Sequence, residues 1–253
     1  LHRRDPGEGK TLSSPQESRT SSRGILPFRP KVVHVGKYYR PVPGGIETYC
    51  YHLCERLKDR TDLTVVVSHT APRRAVEDVQ GVKVVRLPRY AQIASTPISP
   101  GLIPWLRRVH ADILHVHLPN PMAEVAYLSA RPRGKLVVSY HSDIIRQKHL
   151  FELYQAVNRT FLSRADRIIA ATPQNVDYSP VLSRFKDRTC IIPYGVRADD
   201  FRLTPGRRKR VGELRERFGP RIIFFVGRHV YYKGIEHLIR AMQHVDAHLV
   251  VRS

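Results

Sequence analysis

The sequence predicts an α/β fold with a mostly parallel sheet covered by helices on both faces. Short apolar runs of strand length recur along the chain, and segments with helical spacing separate them. The first run, Lys31 to Gly36, is apolar enough to read as a strand buried on both sides. A hydrophobic fraction of 42% is that of an ordinary globular protein, so a core can form.

Residues 1–29 are rich in Ser, Arg, Gly and Pro and lack periodic apolar residues, so they are expected to be a disordered basic tail. After the first strand comes a loop with Pro41, Pro43, Gly44 and Gly45. A helix from about Ile46 follows, with Ile46, Tyr49, Cys50, Leu53 and Leu57 spaced by three and four along one face. Further strands are expected at Leu63 to Val67, Val82 to Leu87, Asp112 to His117, Lys135 to Tyr140, Arg167 to Ala171 and Thr189 to Ile192. Helices are expected near Met122 to Ser129 and from about Gln147 to Ser163.

This gives a first Rossmann-like domain over 30–197, with ligands expected at the C-terminal ends of the strands. A linker over 198–220 carries Pro205, Gly206 and a basic run, with a short helix from Val211 to Phe218. A new unit starts at 221 with strand Ile222 to Val226, helix Ile235 to His244 and strand Ala247 to Val251. One βαβ unit cannot bury its own sheet faces, so 221–253 reads as the start of an incomplete second domain. The first residue, Leu1, suggests a fragment or a processed start.

Composition limits the setting. No apolar run approaches the roughly 20 residues that span a bilayer, and the N-terminus has no apolar signal-peptide region. Three cysteines make no disulfide framework, which points to a reducing, cytoplasmic location. Cys50 and Cys54 fall on the apolar side of one helix and are expected to serve as packing. The formal charge of +21 admits nucleic acid, an anionic membrane surface or a phosphate-bearing substrate as partner. Aromatic-interleaved RNA motifs, zinc-finger spacing and basic zippers are all missing, so a nucleic-acid partner is the weaker alternative.

Three segments carry candidate chemistry. Gly44 and Gly45 lie between a strand and a helix start, where free backbone amides favour a phosphate. The full GxGxxG pattern is absent, so no dinucleotide cofactor is expected. Ser139 to Asp143 ends a buried strand in the crevice where such folds work, and His115 and His117 end a neighbouring strand and point to one face. No carboxylate trio or HExxH helix accompanies these histidines, so no metal site is expected. In the third segment, Val226 to Gly234, Arg228 offers a planar fork of donors and Lys233 a mobile charge beside a helix start.

In this order the segments resemble a known family. Gly-Gly after the first strand, His-Val-His, Tyr-His-Ser-Asp, Ile192-Pro193-Tyr194-Gly195-Val196 with Phe201, then Gly227-Arg228 and Lys233-Gly234 are similar to the retaining GT-B glycosyltransferases of group 4. The resemblance covers residues 31–253. It implies transfer of a mannose- or glucose-type hexose from a nucleotide sugar to a saccharide or lipid-linked saccharide, with retention of configuration. His141, Arg228 and Lys233 are the catalytic residues it implies, the last two stabilising the leaving diphosphate. Gly44, Gly45, His117 and Asp143 are the implied substrate-binding residues. No cofactor is implied beyond the nucleotide-sugar substrate, and a peripheral place on the inner face of an anionic membrane is compatible. A sugar-nucleotide epimerase of the same architecture is an alternative. Family members carry a pair of glutamates late in the second domain, and this chain stops before them, so by itself it is expected to be inactive.

Overall fold

The computed structural model describes residues 28–93, 95–143, 148–196, 198–227 and 229–252, without the side chains of 148–153, 200 and 232. The N-terminal stretch read as disordered lies outside the described residues, apart from Phe28 and Arg29. The chain forms two units, Leu1–Tyr194 and Gly195–Ser253.

In chain order, the first unit contains β1 (Lys31–Val35), α1 (Gly45–Leu57), β2 (Asp62–Ser68), β3 (Ala75–Val79), β4 (Val82–Leu87), β5 (Ala91–Ile93) and β6 (Thr96–Ile98). It continues with α2 (Leu102–Arg108), β7 (Ile113–Leu118), α3 (Pro121–Ala130), β8 (Lys135–Tyr140), α4 (Lys148–Ser163), β9 (Arg167–Ala170), α5 (Pro173–Asp177) and β10 (Thr189–Ile191). Eight strands form one sheet in the order β10-β9-β8-β7-β1-β2-β4-β3, all parallel except β3, which runs back against β4. The chain builds outward from β1 to one side, then returns to build from β7 on the other. The crevice between β1 and β7 is therefore the topological switch point, the place where folds of this kind bind ligands.

Strand alternation sends successive side chains to opposite faces. One face joins Val33, Val35, Leu114, Val116, Leu136, Val138 and Ile168 to Leu102 and Leu106 of α2, Ala123 and Ala126 of α3, and Phe161 and Leu162 of α4. The other joins Val32, Leu63, Val65, Val67, Val82 and Val84 to Cys50, Tyr51 and Cys54 of α1. The buried stripe of α1 is thus displaced from the expected one. Ile46, Tyr49 and Leu53 are only half-buried, because that side of the helix turns toward the crevice.

The second unit contains α6 (Pro205–Phe218), β11 (Ile222–Val226), α7 (Ile235–Ala241) and β12 (His248–Arg252), with β11 and β12 parallel. Here the reading of a linker with a helix from Val211 is corrected. Thr204 caps the helix by accepting a hydrogen bond from the Arg207 amide, and Pro205 takes the first helical position, so the basic run is helical. No described residue from Gly195 onward is buried. No described helix is long and apolar enough to cross a membrane.

Candidate active site

The crevice starts at the first turn of α1. Gly44 is the residue before the helix, and its extended backbone (φ 168°) imposes no demand for glycine. A Cβ at Gly45 would meet nothing within 4 Å, so packing does not demand glycine there either. A ligand approaching the first-turn amides, which have no partner four residues back, would demand it. One turn further along, Tyr49 sets its ring edge-on against His141, with centroids 4.9 Å apart. The Gly-Gly turn and His141 therefore border the same opening.

His141 directly follows β8, and its amide is tied to the Leu118 carbonyl at the end of β7. The ring stacks on His117 at an interplanar angle of 12° and on Tyr194 at 26°. Hydrogen bonds continue in both directions. His34 Nδ1 lies 3.0 Å from His117 Nε2, His117 Nδ1 lies 3.4 Å from His141 Nε2, and His141 Nδ1 lies 2.8 Å from the Tyr194 hydroxyl. The relay thus runs from the floor of the sheet to a half-exposed tyrosine.

Proton placement along this relay is constrained. Either every Nδ1 donates outward or every Nε2 donates inward. His34 Nε2 is buried without a partner. A buried N–H without an acceptor is rarer than a bare acceptor, so the Nδ1–H arrangement is the favoured one. Burial lowers the pKa of His34 and of His141 to about 4. Burial and their neighbours hold His115 and His117 well below the usual histidine range. At neutral pH the rings are uncharged, and His141 can share a hydrogen bond without bringing a positive charge to a sugar. His115 turns aside to bond the Ser139 hydroxyl at 2.8 Å.

Asp143, two residues beyond His141, belongs to a different recess. Its carboxylate accepts hydrogen bonds from Tyr140 (2.7 Å) and Ser179 (2.8 Å). With Tyr154, Asn158 and Tyr178 it lines a cavity of about 370 Å³. Beneath this cavity Glu124 is fully buried and accepts hydrogen bonds from Tyr154 and Asn158. Burial lifts its pKa to about 7.

The structure thus brings His117 and His141 together at the mouth that Gly45 opens, and sets Asp143 apart. Lys233 lies in the second unit, in a 3-10 turn (Tyr231–Lys233) ahead of Gly234, which adopts the left-handed conformation at φ 65°. Arg228 lies outside the described residues. Sequence reasoning gave no role to His34, Tyr49, Tyr194 or Glu124. Tyr194 stood within a noted motif, whereas His34 and Tyr49 looked like core positions.

The profile of Glycosyltransferase Family 4 matches residues 43–200, more than half of the chain. The chain belongs to glycosyltransferase family 4. Among curated members, it is 34% identical over 218 residues to the O-antigen chain mannosyltransferase C of Escherichia coli, covering 84% of this chain and 58% of that protein. Identity is also 34% over 225 residues with the D-rhamnosyltransferase WbpZ of Pseudomonas aeruginosa, covering 87% and 58%. This family 4 chain thus spans under two thirds of the length of these relatives. Among solved structures, HepE of Anabaena in complex with UDP-glucose shares the fold at a TM-score of 0.63 and 16% identity, over 88% of this chain and 60% of that one. An α,α-trehalose 6-phosphate synthase of Burkholderia multivorans does so at 0.56 and 13%, over 89% and 65%. The family 4 chain has the Rossmann-like architecture of these GT-B enzymes.

Proposed function

We propose that the protein to which this chain belongs transfers a mannose-type hexose from a nucleotide sugar to a saccharide or lipid-linked saccharide, with retention at the anomeric carbon. The observation that carries this reading is the neutral His141, held between Tyr49, His117 and Tyr194 at the switch-point crevice beside the open helix start at Gly45. The two relatives at 34% identity act with mannose and with rhamnose, its 6-deoxy counterpart, which supports a manno-configured donor over a glucose-type one. In this reading the amides at the start of α1 face the donor phosphates. A sugar hydroxyl takes the place of the Tyr194 hydroxyl on His141 Nδ1. Arg228 and Lys233 neutralise the departing diphosphate, and Asp143 orients the acceptor in its own cavity.

Retention without a protein nucleophile needs the acceptor to attack from the side on which the diphosphate leaves. The acceptor proton then passes to the leaving phosphate oxygen. This fits a site whose ring groups are neutral and which pairs no carboxylate with His141 among the described residues, unlike the close carboxylate pair of retaining glycosidases. The test is a transfer assay on the full-length protein with nucleotide-activated mannose, rhamnose and glucose and an oligosaccharide acceptor, read by NMR of the new anomeric centre. Retained configuration with a manno-configured donor supports the proposal. Inverted product, or epimerised donor without acceptor product, overturns it.

The exposed basic run in the first turns of α6, Arg207, Arg208, Lys209 and Arg210, supports a peripheral place on an anionic membrane where lipid-linked acceptors reside. Sedimentation with vesicles rich in anionic lipid is expected to fall steeply with added salt. Binding that ignores salt would remove this part of the reading.

A further inference from the structure

Beneath the candidate active site, the face of the sheet under α1 holds a donor set that glycosyl transfer does not use. Cys50 and Cys54, four residues apart on α1, are both fully buried, and their sulfurs lie 4.0 Å apart. Neither forms a disulfide. His34 of β1 is fully buried opposite them, and one of its ring nitrogens and the two sulfurs all lie within 4.8 Å of one another.

Two buried side-chain polar atoms among the described residues have no hydrogen-bond partner, His34 Nε2 and the Tyr39 hydroxyl. Both belong to this spot. Burial and the nearby thiols push the Tyr39 hydroxyl well above the usual tyrosine range. A buried polar atom without a partner costs about 1–3 kcal/mol, so the bare His34 Nε2 beside a thiol pair calls for an explanation.

We propose that His34, Cys50 and Cys54 bind one zinc ion. Sulfurs about 2.3 Å from a tetrahedral zinc stand about 3.8 Å from each other, close to the spacing that α1 already provides. His34 Nδ1 is occupied by His117, and Nε2 is the nitrogen left with a free lone pair in the favoured proton arrangement. A histidine that donates one N–H to a second partner and ligates through the other nitrogen is the usual arrangement at metal sites.

Charge balance selects the metal. Two thiols release two protons to solvent and bind as thiolates, so a divalent cation leaves no net charge in this apolar surround, whereas monovalent copper leaves a buried negative charge. The Tyr39 hydroxyl can donate to a thiolate. Ligation also fixes the proton on His34 Nδ1, and through His117 it fixes the tautomer that His141 presents.

The test is to purify the full-length protein under reducing conditions from zinc-supplemented cells, then measure metal content by mass spectrometry and the zinc environment by X-ray absorption. About one zinc per chain, with two sulfurs at about 2.3 Å and nitrogen at about 2.0 Å, is expected. Cys50→Ser with Cys54→Ser should lose that zinc, and Cys190→Ser should keep it. Substoichiometric zinc in protein with reduced thiols, or a zinc shell lacking sulfur, overturns the proposal. So does a folded double serine variant that keeps the same shell. If the double variant does not fold, the absorption spectrum of the unaltered protein decides alone.

Discussion

On one face of the first sheet, Val33, Val35, Leu114 and Val116 meet the apolar sides of α2, α3 and α4. On the other, between the same backbones, His34, His115, His117 and Ser139 are joined in hydrogen-bonded pairs, and His34 lies beside Cys50 and Cys54 of α1. The two faces are one residue out of phase along the same strands. Dispersion and loss of water-exposed apolar surface hold the first together. The second exchanges part of that stabilisation for rings joined by hydrogen bonds that lead to His141. Alternation within a strand lets one sheet carry a scaffold and a site without compromise between them, because a substitution on either side leaves the other in register.

The comparison can be broken from either side. His141→Ala in the full-length protein is expected to lower kcat by about 100-fold while the urea midpoint stays near that of the parent. Leu114→Ala, on the opposite face, should cost about 2–5 kcal/mol of stability by urea titration. Loss of stability in the first variant, or full stability in the second, would mean that the faces do not divide the work in this way.

A smaller effect concerns pH. Glu124, on the scaffold side, has its pKa raised to about 7 from 4.5. Between those values the folded chain holds a proton that the unfolded chain has lost, so this group's contribution to stability falls as pH rises from about 4.5 to 7. The full effect is on the order of 3 kcal/mol. Glu124→Gln should flatten that slope in urea titrations at pH 5 and pH 8, and an unchanged slope would remove Glu124 as its source. His141 has the opposite sign. Its pKa is lowered from 6.5 to about 4, so its contribution rises with pH across that window and is lost on acidification.

Smallest in stability is Gly45→Ala. The added methyl enters open space, and alanine suits a helix start better than glycine, so stability should change by no more than about 1 kcal/mol. Calorimetric titration with the nucleotide-sugar donor should nevertheless show weaker binding. Unchanged affinity would take the donor phosphates away from this turn.

How much was legible follows from which signals are local. Strands β4 and β8 are found at the positions read from their apolar runs, β1 and β9 differ by a residue at one end, and β7 is shifted by one residue at both. Strand β3 was missed because its central residues are exposed and it is itself the edge strand of the sheet, so it shows no apolar run. Helix α2 is seven residues long and contains Pro104, which hides its spacing. Helix α6 is polar around most of its circumference, and only the Thr204-Pro205 start marks its true beginning. At the candidate site, His117 and His141 were legible as polar residues ending buried strands. His34 was not, because a histidine inside an apolar run reads as core until its neighbours are known.

The sequence alone determined the α/β class, the main run of parallel strands and the family, since periodicity, turn chemistry and motif order are properties of neighbouring residues. Only the tertiary structure decided which strands lie side by side. Placing β1 beside β7 brings His34 within reach of His117, 83 residues away along the chain. It likewise decided that His141 and Asp143, two residues apart, serve separate recesses. Hydrogen bonds and burial depend on distance in space, and the pairing of parallel strands across crossovers sets that distance.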